Sequence, residues 1–216
     1  MGADHRDVYQ NKHALAFVLG RQEKWQEAID LFKEVVQWRS EKLGWDDEFT
    51  LTSLWSQAVT YLHSKRLVEA EPLFTRLVEL KSQKLGPTHA ETLESMVQLS
   101  WIQQQRENYE QSEINYRFLL EAHSNNDGPE HPFALLVTNN LASVLNYQGK
   151  YDEGEFLLRR NYSNTVKVLG PRDPMTKKRF RNLVEALREV GKIDEAQELE
   201  DQMEASEPEA ASETES

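Results

Sequence analysis

The sequence predicts an all-α protein made of five antiparallel helix pairs that repeat every 42 residues. Gly44, Gly86, Gly128 and Gly170 are each 42 residues apart, and three of them follow a leucine. Within each repeat, apolar residues recur at the three- and four-residue spacing of an amphipathic helix. A fixed period of this length indicates stacked units, because a single helix pair cannot bury its apolar face alone.

Residue columns in the same register predict how these helices pack. Small residues recur where the two helices of a pair must cross closely, because a small side chain lets the backbones approach. Bulky residues recur where one pair meets the next and fill the layer between them. The small column is Ala28, Ala70, Ser112, Gly154 and Ala196; the bulky columns are Trp25, Leu67, Tyr109, Tyr151 and Ile193, and Phe32, Phe74, Tyr116 and Leu158.

Each repeat is expected to hold two helices joined by a tight turn. Gly149 and Gly191 suit this turn, since glycine adopts a left-handed backbone easily, and prolines follow three of the closing glycines as stop signals. We expect helices at 6–22 and 25–43, 48–64 and 67–85, 90–106 and 109–124, 132–148 and 151–168, and 174–190 and 193–205. The repeats are then 4–44, 45–86, 87–128, 129–170 and 171–205, which form one array over 4–205, before a disordered acidic tail at 206–216.

The composition excludes several classes of protein. Apolar residues make up 38% and the mean hydropathy is -0.72, which suits a thin solenoid with much exposed surface. The absence of cysteine excludes disulfides and cysteine-ligated zinc. No stretch approaches the roughly 18–20 apolar residues that a membrane-spanning helix needs, and the polar amino-terminal segment is unlike a secretory signal. We therefore predict a soluble, cytoplasmic protein without membrane interactions.

The formal net charge of -12 is concentrated at the carboxyl end. Ten of the 37 acidic residues follow Lys192, where no Lys or Arg occurs, so residues 1–192 carry only -2. Nucleic acid is not an expected partner, because binding a phosphate backbone needs a basic face. The acidic tail has two interpretations. It only solubilises the protein, or it folds back onto a basic part of the binding surface and competes with a partner.

No pattern typical of an enzyme or of a cofactor site is found. The motifs HExxH, GxxxxGKT, GxGxxG and GxSxG are all absent. His5, His89 and His131 share a repeat position with Asp47 and Asp173, which indicates a polar helix start rather than a metal site. We therefore expect neither catalysis nor a cofactor or metal.

Two stretches resemble tetratricopeptide repeats of the long variant found in kinesin light chains. They are LGPTHAETL at 85–93 and GPEHPFALLVTNNLASVLNYQGKYDEGEFLL at 128–158. In the second stretch, the spacing from Leu141 and Ala142 to Tyr151, Gly154 and Leu158 matches the tetratricopeptide signature. The resemblance implies a right-handed superhelical solenoid. It also implies that the first helix of each pair lines a concave groove that binds polypeptides.

The resemblance further implies that the groove is lined by positions i, i+4 and i+7 of each first helix. These positions are His13, Phe17 and Gly20, Trp55, Val59 and Leu62, Val97, Trp101 and Gln104, Asn139, Ser143 and Asn146, and Arg181, Glu185 and Arg188. The aromatic end would anchor a bulky apolar side chain, asparagines would bond a peptide backbone, and arginines would clamp an acidic flank. The predicted peptide-binding residues are Phe17, Trp55, Val59, Trp101, Gln104, Asn139, Ser143, Asn146, Arg181 and Arg188.

Other interpretations of these residues remain open. Trp55 and Trp101 are equally compatible with packing between neighbouring helices. The basic run at 177–181 is also compatible with a solvated helix face. Kinesin light chains carry a ladder of groove asparagines, whereas the equivalent column here retains only Asn139.

We predict a protein–protein interaction adaptor or scaffold that binds an extended peptide or partner segment. The first alternative is a self-assembling or sensor portion of a larger signalling protein with no dedicated peptide ligand. A small-molecule or enzymatic function is the second. No polar capping helix precedes the first helix pair, so we expect that pair either to form a homodimer or to belong to a longer array.

Overall fold

The structure is a computed structural model that describes residues 3–124 and 128–206, and these residues form an all-α repeat fold. Every predicted helix is present, and each end lies within three residues of its predicted position. Ser206 ends the last helix, and the rest of the predicted tail lies outside the described residues. The helices are α1 (Ala3–Arg21), α2 (Trp25–Leu43), α3 (Glu48–His63), α4 (Leu67–Leu85), α5 (Ala90–Gln105), α6 (Tyr109–Ser124), α7 (Pro132–Tyr147), α8 (Tyr151–Leu169), α9 (Pro174–Glu189) and α10 (Ile193–Ser206).

The chain divides into two compact units, each with its own core. The N-terminal unit is Met1–Asn115 and the C-terminal unit is Tyr116–Ser216, so the boundary falls within α6. In the N-terminal unit, fully buried Phe74 and Leu77 lie in a core built by α2 to α5. In the C-terminal unit, Leu187 of α9 is fully buried and packs with Leu158 of α8.

The small residues lie at buried positions, as predicted. Ala28, Ala70, Ser112 and Ala196 are fully buried. The Ser112 hydroxyl donates a hydrogen bond to the carbonyl of Ser100 at 2.8 Å, so α6 lies against α5 at this point. These residues therefore act as spacers that set how closely the two helices of a pair approach.

The turn inside each helix pair has the same left-handed backbone in all five repeats. The N–H after the turn residue bonds the carbonyl five residues earlier, for example from Arg66 to Tyr61 at 2.9 Å. This is the Schellman arrangement that closes a helix end. The sequence indicated it only at the two glycines, but charged residues adopt it in the first three repeats. The residues and their φ angles are Glu23 (59°), Lys65 (60°), Glu107 (62°), Gly149 (75°) and Gly191 (80°).

Replacing Lys65 by glycine is expected to raise the free energy of unfolding by about 0.5–1 kcal/mol. A side chain makes the left-handed backbone unfavourable by roughly 1–2 kcal/mol, whereas the greater flexibility of unfolded glycine offsets roughly 0.5–1 kcal/mol. Urea denaturation followed by circular dichroism measures the change. The matched control is Gly149→Ala at the equivalent turn, which should lower stability by about 1 kcal/mol. A lower urea midpoint for Lys65→Gly would contradict strain at this turn.

Four first helices begin at a polar cap in the column that the sequence assigns to helix starts. Each cap accepts the backbone N–H two residues later, at 2.9 Å for Asp47 and 2.7 Å for Asp173. His89 and His131 accept it through Nδ1, both at 3.3 Å. The helix-start prediction is confirmed for these four. It is wrong for His5, which lies inside α1.

A buried arginine joins the first three helices of the N-terminal unit. Arg39 of α2 is 4% exposed. Its Nη1 donates to Ser53 Oγ at 2.7 Å and to the Phe49 carbonyl at 2.8 Å, and its Nη2 donates to Gln10 Oε1 at 2.7 Å. Nearby, burial lowers the pKa of His13, and repulsion by Arg39 lowers it further. Buried polar groups therefore supplement a small apolar core here.

Candidate functional site

Each unit contains a cavity lined by two consecutive first helices and by the second helix between them. The aromatic cavity, of about 440 Å³, lies in the N-terminal unit, and the amide cavity, of about 560 Å³, lies in the C-terminal unit. The aromatic cavity is lined by Phe17, Gly20, Arg21, Glu23, Trp25, Phe32, Trp55, Ser56, Val59, Thr60 and His63. The amide cavity is lined by Asn139, Ser143, Asn146, Tyr147, Tyr151, Leu158, Asn182, Glu185, Ala186 and Glu189.

The aromatic cavity is anchored on the core of its unit through Trp55. This half-buried ring meets Phe74 edge-on at 5.4 Å, and Lys81 Nζ lies 4.9 Å from its centre. Phe17 is 55% exposed on the opposite first helix, and Val59 lies one turn after Trp55. Trp55 therefore packs on the core and also lines the cavity.

The amide cavity is built around an asparagine pair. Asn182 Nδ2 donates to Asn139 Oδ1 at 2.7 Å, which joins α9 to α7. Asn139 is only 9% exposed. Asn146 Oδ1 is buried and accepts no hydrogen bond within the described part of the chain. It fills the space that a Cβ at residue 154 would occupy, so Gly154 admits the asparagine side chain.

The two cavities occupy the same positions of the repeat. Their equivalent lining residues are 126 positions apart, which is three repeats of 42. One backbone arrangement therefore carries two linings, and the side chains decide which ligand each would accept. The main pairs are Phe17 and Ser143, Trp25 and Tyr151, Phe32 and Leu158, Val59 and Glu185, and His63 and Glu189.

The structure brings six of the ten predicted site residues into these cavities. Trp101, 37% exposed, and Gln104, 9% exposed, lie on α5 and line neither cavity. Trp101 is thus more exposed than a core residue. The six are Phe17, Trp55 and Val59 in the aromatic cavity, and Asn139, Ser143 and Asn146 in the amide cavity.

The two predicted arginines of α9 lie outside the amide cavity. Arg188 donates to Glu200 Oε2 of α10 at 2.6 Å. Arg181 lines a separate cavity of about 560 Å³ that is partly apolar and rimmed by basic side chains. The other residues of this basic-rimmed cavity are Arg172, Pro174, Lys177, Phe180 and Met203.

Sequence reasoning missed several lining residues because it used one helix face for every repeat. Each cavity lies between the first helices of two consecutive repeats. The helix of the later repeat also contributes the residues that directly follow its predicted i, i+4 and i+7 positions. In the amide cavity these are Asn182, Ala186 and Glu189, and in the aromatic cavity they are Ser56, Thr60 and His63. The 42-residue register contains this signal, since the same three positions recur in both cavities.

The two cavities differ in the charges that line them. Arg21, Glu23 and His63 line the aromatic cavity, whereas the charged residues lining the amide cavity are Glu185 and Glu189. Within residues 3–124 and 128–206, no group of three His, Cys, Asp or Glu side chains is placed to hold a metal ion. No helix in that part of the chain is long and apolar enough to span a bilayer.

Solved structures share this fold at low sequence identity. The nearly identical TPR-like repeats assigned to a kinesin light chain of Podosopora anserina match with a TM-score of 0.79 and 24% identity, over 95% of this chain and 96% of that one. BtubC (BKLC) from P. vanneervenii matches with a TM-score of 0.72 and 18% identity, over 96% and 85%. A Rap protein complexed with competence and sporulation factor matches with a TM-score of 0.62 and 16% identity, over 90% and 52%.

The sequence itself identifies the family. A family model described as tetratricopeptide repeat matches residues 7–83 and 49–125, which together span more than half of the chain. No curated protein matches the chain. With the 42-residue register and the helix pairs of the structure, this match shows that the chain belongs to the tetratricopeptide repeat family.

Proposed function

We propose that this protein is an interaction adaptor that binds an extended segment of a partner protein through the cavities of its first helices. The observation that carries the proposal is the pair of cavities in one register with different linings. Their volumes of about 440 and 560 Å³ are suited to side chains and short peptide segments, since ligand sites usually measure roughly 300–1,000 Å³.

The linings suggest which parts of a partner each cavity takes. Phe17, Trp55 and Val59 offer apolar surface to a bulky apolar anchor. Asn139 and Asn146 offer amide groups that can pair with a peptide backbone without reading its sequence. We place the acidic flank predicted for the partner at the basic-rimmed cavity that contains Arg181, because guanidinium groups bind carboxylates well.

A structural relative supports the general mode of action. The Rap protein of similar fold forms a complex with competence and sporulation factor. That complex shows that a protein of this architecture can hold a separate factor, and the proposal extends this general ability to the present chain.

Replacing Val59 by glutamate tests the proposal. Selection from a displayed library of random linear peptides against the intact chain supplies ligands, and fluorescence anisotropy measures their affinity. A carboxylate inside the aromatic cavity is expected to weaken the selected peptides at least about tenfold, because burying an unpaired charge is unfavourable. The matched control is Val68→Glu on α4, where the side chain is 65% exposed and outside both cavities. Failure to select any peptide, or equal binding to both variants, would overturn the proposal.

Self-assembly is the second candidate, and one observation favours it. On α1, Val8, Leu15 and Val18 are 49%, 52% and 48% exposed. The equivalent residues of α3, which are Thr50, Gln57 and Thr60, are buried. Light scattering separates the two candidates, because a dimer through this face should dissociate when the three α1 residues are replaced by their α3 counterparts.

A further inference from the structure

The amide cavity carries negative charge without a compensating base in its lining. Glu185 and Glu189 both line it, and no Lys, Arg or His does. Among the residues that the structure describes, neither glutamate forms an ion pair. Neighbouring acids of the same unit do: Glu155 bonds Lys192 at 2.6 Å and Glu200 bonds Arg188 at 2.6 Å. The two cavity glutamates therefore differ from the acids around them.

The placement of these glutamates is unfavourable for the helix that carries them. They are four residues apart on α9, where like charges repel by a few tenths of a kcal/mol. Glu189 is also the last residue of α9, and a helix C-terminus disfavours negative charge. Local helix stability therefore does not explain why glutamates occupy these two positions. Residues that break a local rule in this way are typical of binding sites.

Two asparagines of the same cavity have hydrogen-bonding groups to offer a ligand. Asn139 is 9% exposed, and its Oδ1 is occupied by Asn182. No described residue accepts a hydrogen bond from its Nδ2. The Asn139 amide hydrogens suit a ligand that brings a carbonyl oxygen, as a peptide backbone does. Asn146 Oδ1, in the same cavity, is buried without a partner in the described part of the chain, and it suits a ligand that brings a hydrogen-bond donor.

The remaining walls suit a cation with an apolar stem. Tyr147 and Tyr151 are 63% and 45% exposed, and aromatic faces attract ammonium and guanidinium groups. Leu158 and Ala186 supply apolar surface for the methylene groups of a long side chain. Carboxylates, aromatic rings and a backbone-binding amide together match a basic residue within a peptide.

The aromatic cavity shows that this lining is not dictated by the fold. At the same repeat positions it carries Val59 and His63 instead of glutamates, and Arg21 instead of Tyr147. The same backbone thus accepts valine and histidine or two glutamates at these positions, and it does not require the glutamates. The acidic lining is therefore a property of this cavity and of the ligand it accepts.

We propose that the amide cavity selects a lysine or arginine side chain of the bound partner segment, with Glu185 and Glu189 as its counter-charges. The inference rests on the proposed function, since it concerns one contact of the same bound segment. The Asn139 amide holds the backbone carbonyl next to the basic residue, and the two tyrosines flank its stem. The partner thus presents a basic side chain to the amide cavity.

The test compares the intact chain with the double variant Glu185→Gln and Glu189→Gln. Peptides selected on the intact chain should be enriched in Lys or Arg at one position, and norleucine at that position should weaken binding about tenfold. The double variant should bind both peptides alike. It should also be at least as heat-stable as the intact chain, because it removes a like-charge pair, so weaker binding cannot be attributed to unfolding.

A second variant separates local recognition from general attraction. Asp194→Asn with Glu198→Gln makes the same charge change on exposed residues of α10 outside the cavity. It should keep the preference for the basic peptide. If selected peptides depend on Val59 but show no basic preference, or if both double variants lose it equally, this inference is overturned and the proposed function stands. If no peptide is selected at all, the proposed function itself fails.

Discussion

Replacing Phe74 by alanine is expected to lower the free energy of unfolding by about 3–5 kcal/mol. Phe74 is fully buried in the core of the N-terminal unit and meets the edge of Trp55 at 5.4 Å. Removing the ring loses its burial and leaves a cavity that the surrounding helices fill only partly. Urea denaturation monitored by circular dichroism measures the loss.

The control for this change lies on the same helix. Val68 of α4 is 65% exposed, so Val68→Ala should change stability by less than about 0.5 kcal/mol. A loss below about 1 kcal/mol for Phe74→Ala would mean that the core of this unit is not packed around residue 74. Comparable losses for both variants would mean that the effect comes from helix propensity rather than from burial.

The second large effect is expected for Arg39→Met, with a loss of about 3 kcal/mol. Methionine keeps much of the side-chain volume but donates no hydrogen bond. It therefore removes the bond that Arg39 donates to the buried Ser53 Oγ at 2.7 Å and the bond to the Phe49 carbonyl at 2.8 Å, and that carbonyl keeps the Ser53 hydroxyl as a donor at 3.0 Å. An acceptor that loses its partner in a buried position is destabilising by roughly 1–3 kcal/mol. Urea denaturation is again the measurement.

A control variant at a surface arginine and a titration of a nearby histidine show whether the effect is specific to Arg39. Arg76 pairs with Glu79 at 3.1 Å with both side chains about half exposed, so Arg76→Met should change stability by less than about 1 kcal/mol. Because repulsion by Arg39 helps to lower the pKa of His13, Arg39→Met should also raise that pKa in an NMR titration. An unchanged His13 pKa together with unchanged stability would contradict the buried network.

Most of the fold could be predicted because the 42-residue register places the same physical requirement at the same position five times. Small residues such as Ala70 mark close crossings, and caps such as Asp47 mark helix starts. The left-handed turn was predicted only at its glycines. Glu23 and Lys65 adopt it because the hydrogen bonds of the helix end outweigh the strain in their own backbones. Residue type alone does not signal that outcome.

The candidate site could be predicted in part. The rule that positions i, i+4 and i+7 of each first helix line the groove correctly grouped Asn139 and Asn146. Residues on one side of a helix stay together whatever surrounds the helix. The rule failed for Arg181, which lines the basic-rimmed cavity, although Trp55 at the same repeat position does line the aromatic cavity. Which side of α9 faces α7 depends on how the pairs pack, and a one-helix pattern does not contain that information.

The shared register of the two cavities has a consequence for how such a protein can change over time. The residues that differ between them, such as Val59 and Glu185, are interchangeable as far as the scaffold is concerned. A lineage can therefore exchange one recognition chemistry for another by a few substitutions, without rebuilding the framework. Duplicating or deleting a 42-residue module would likewise change the order in which those chemistries are presented along the chain.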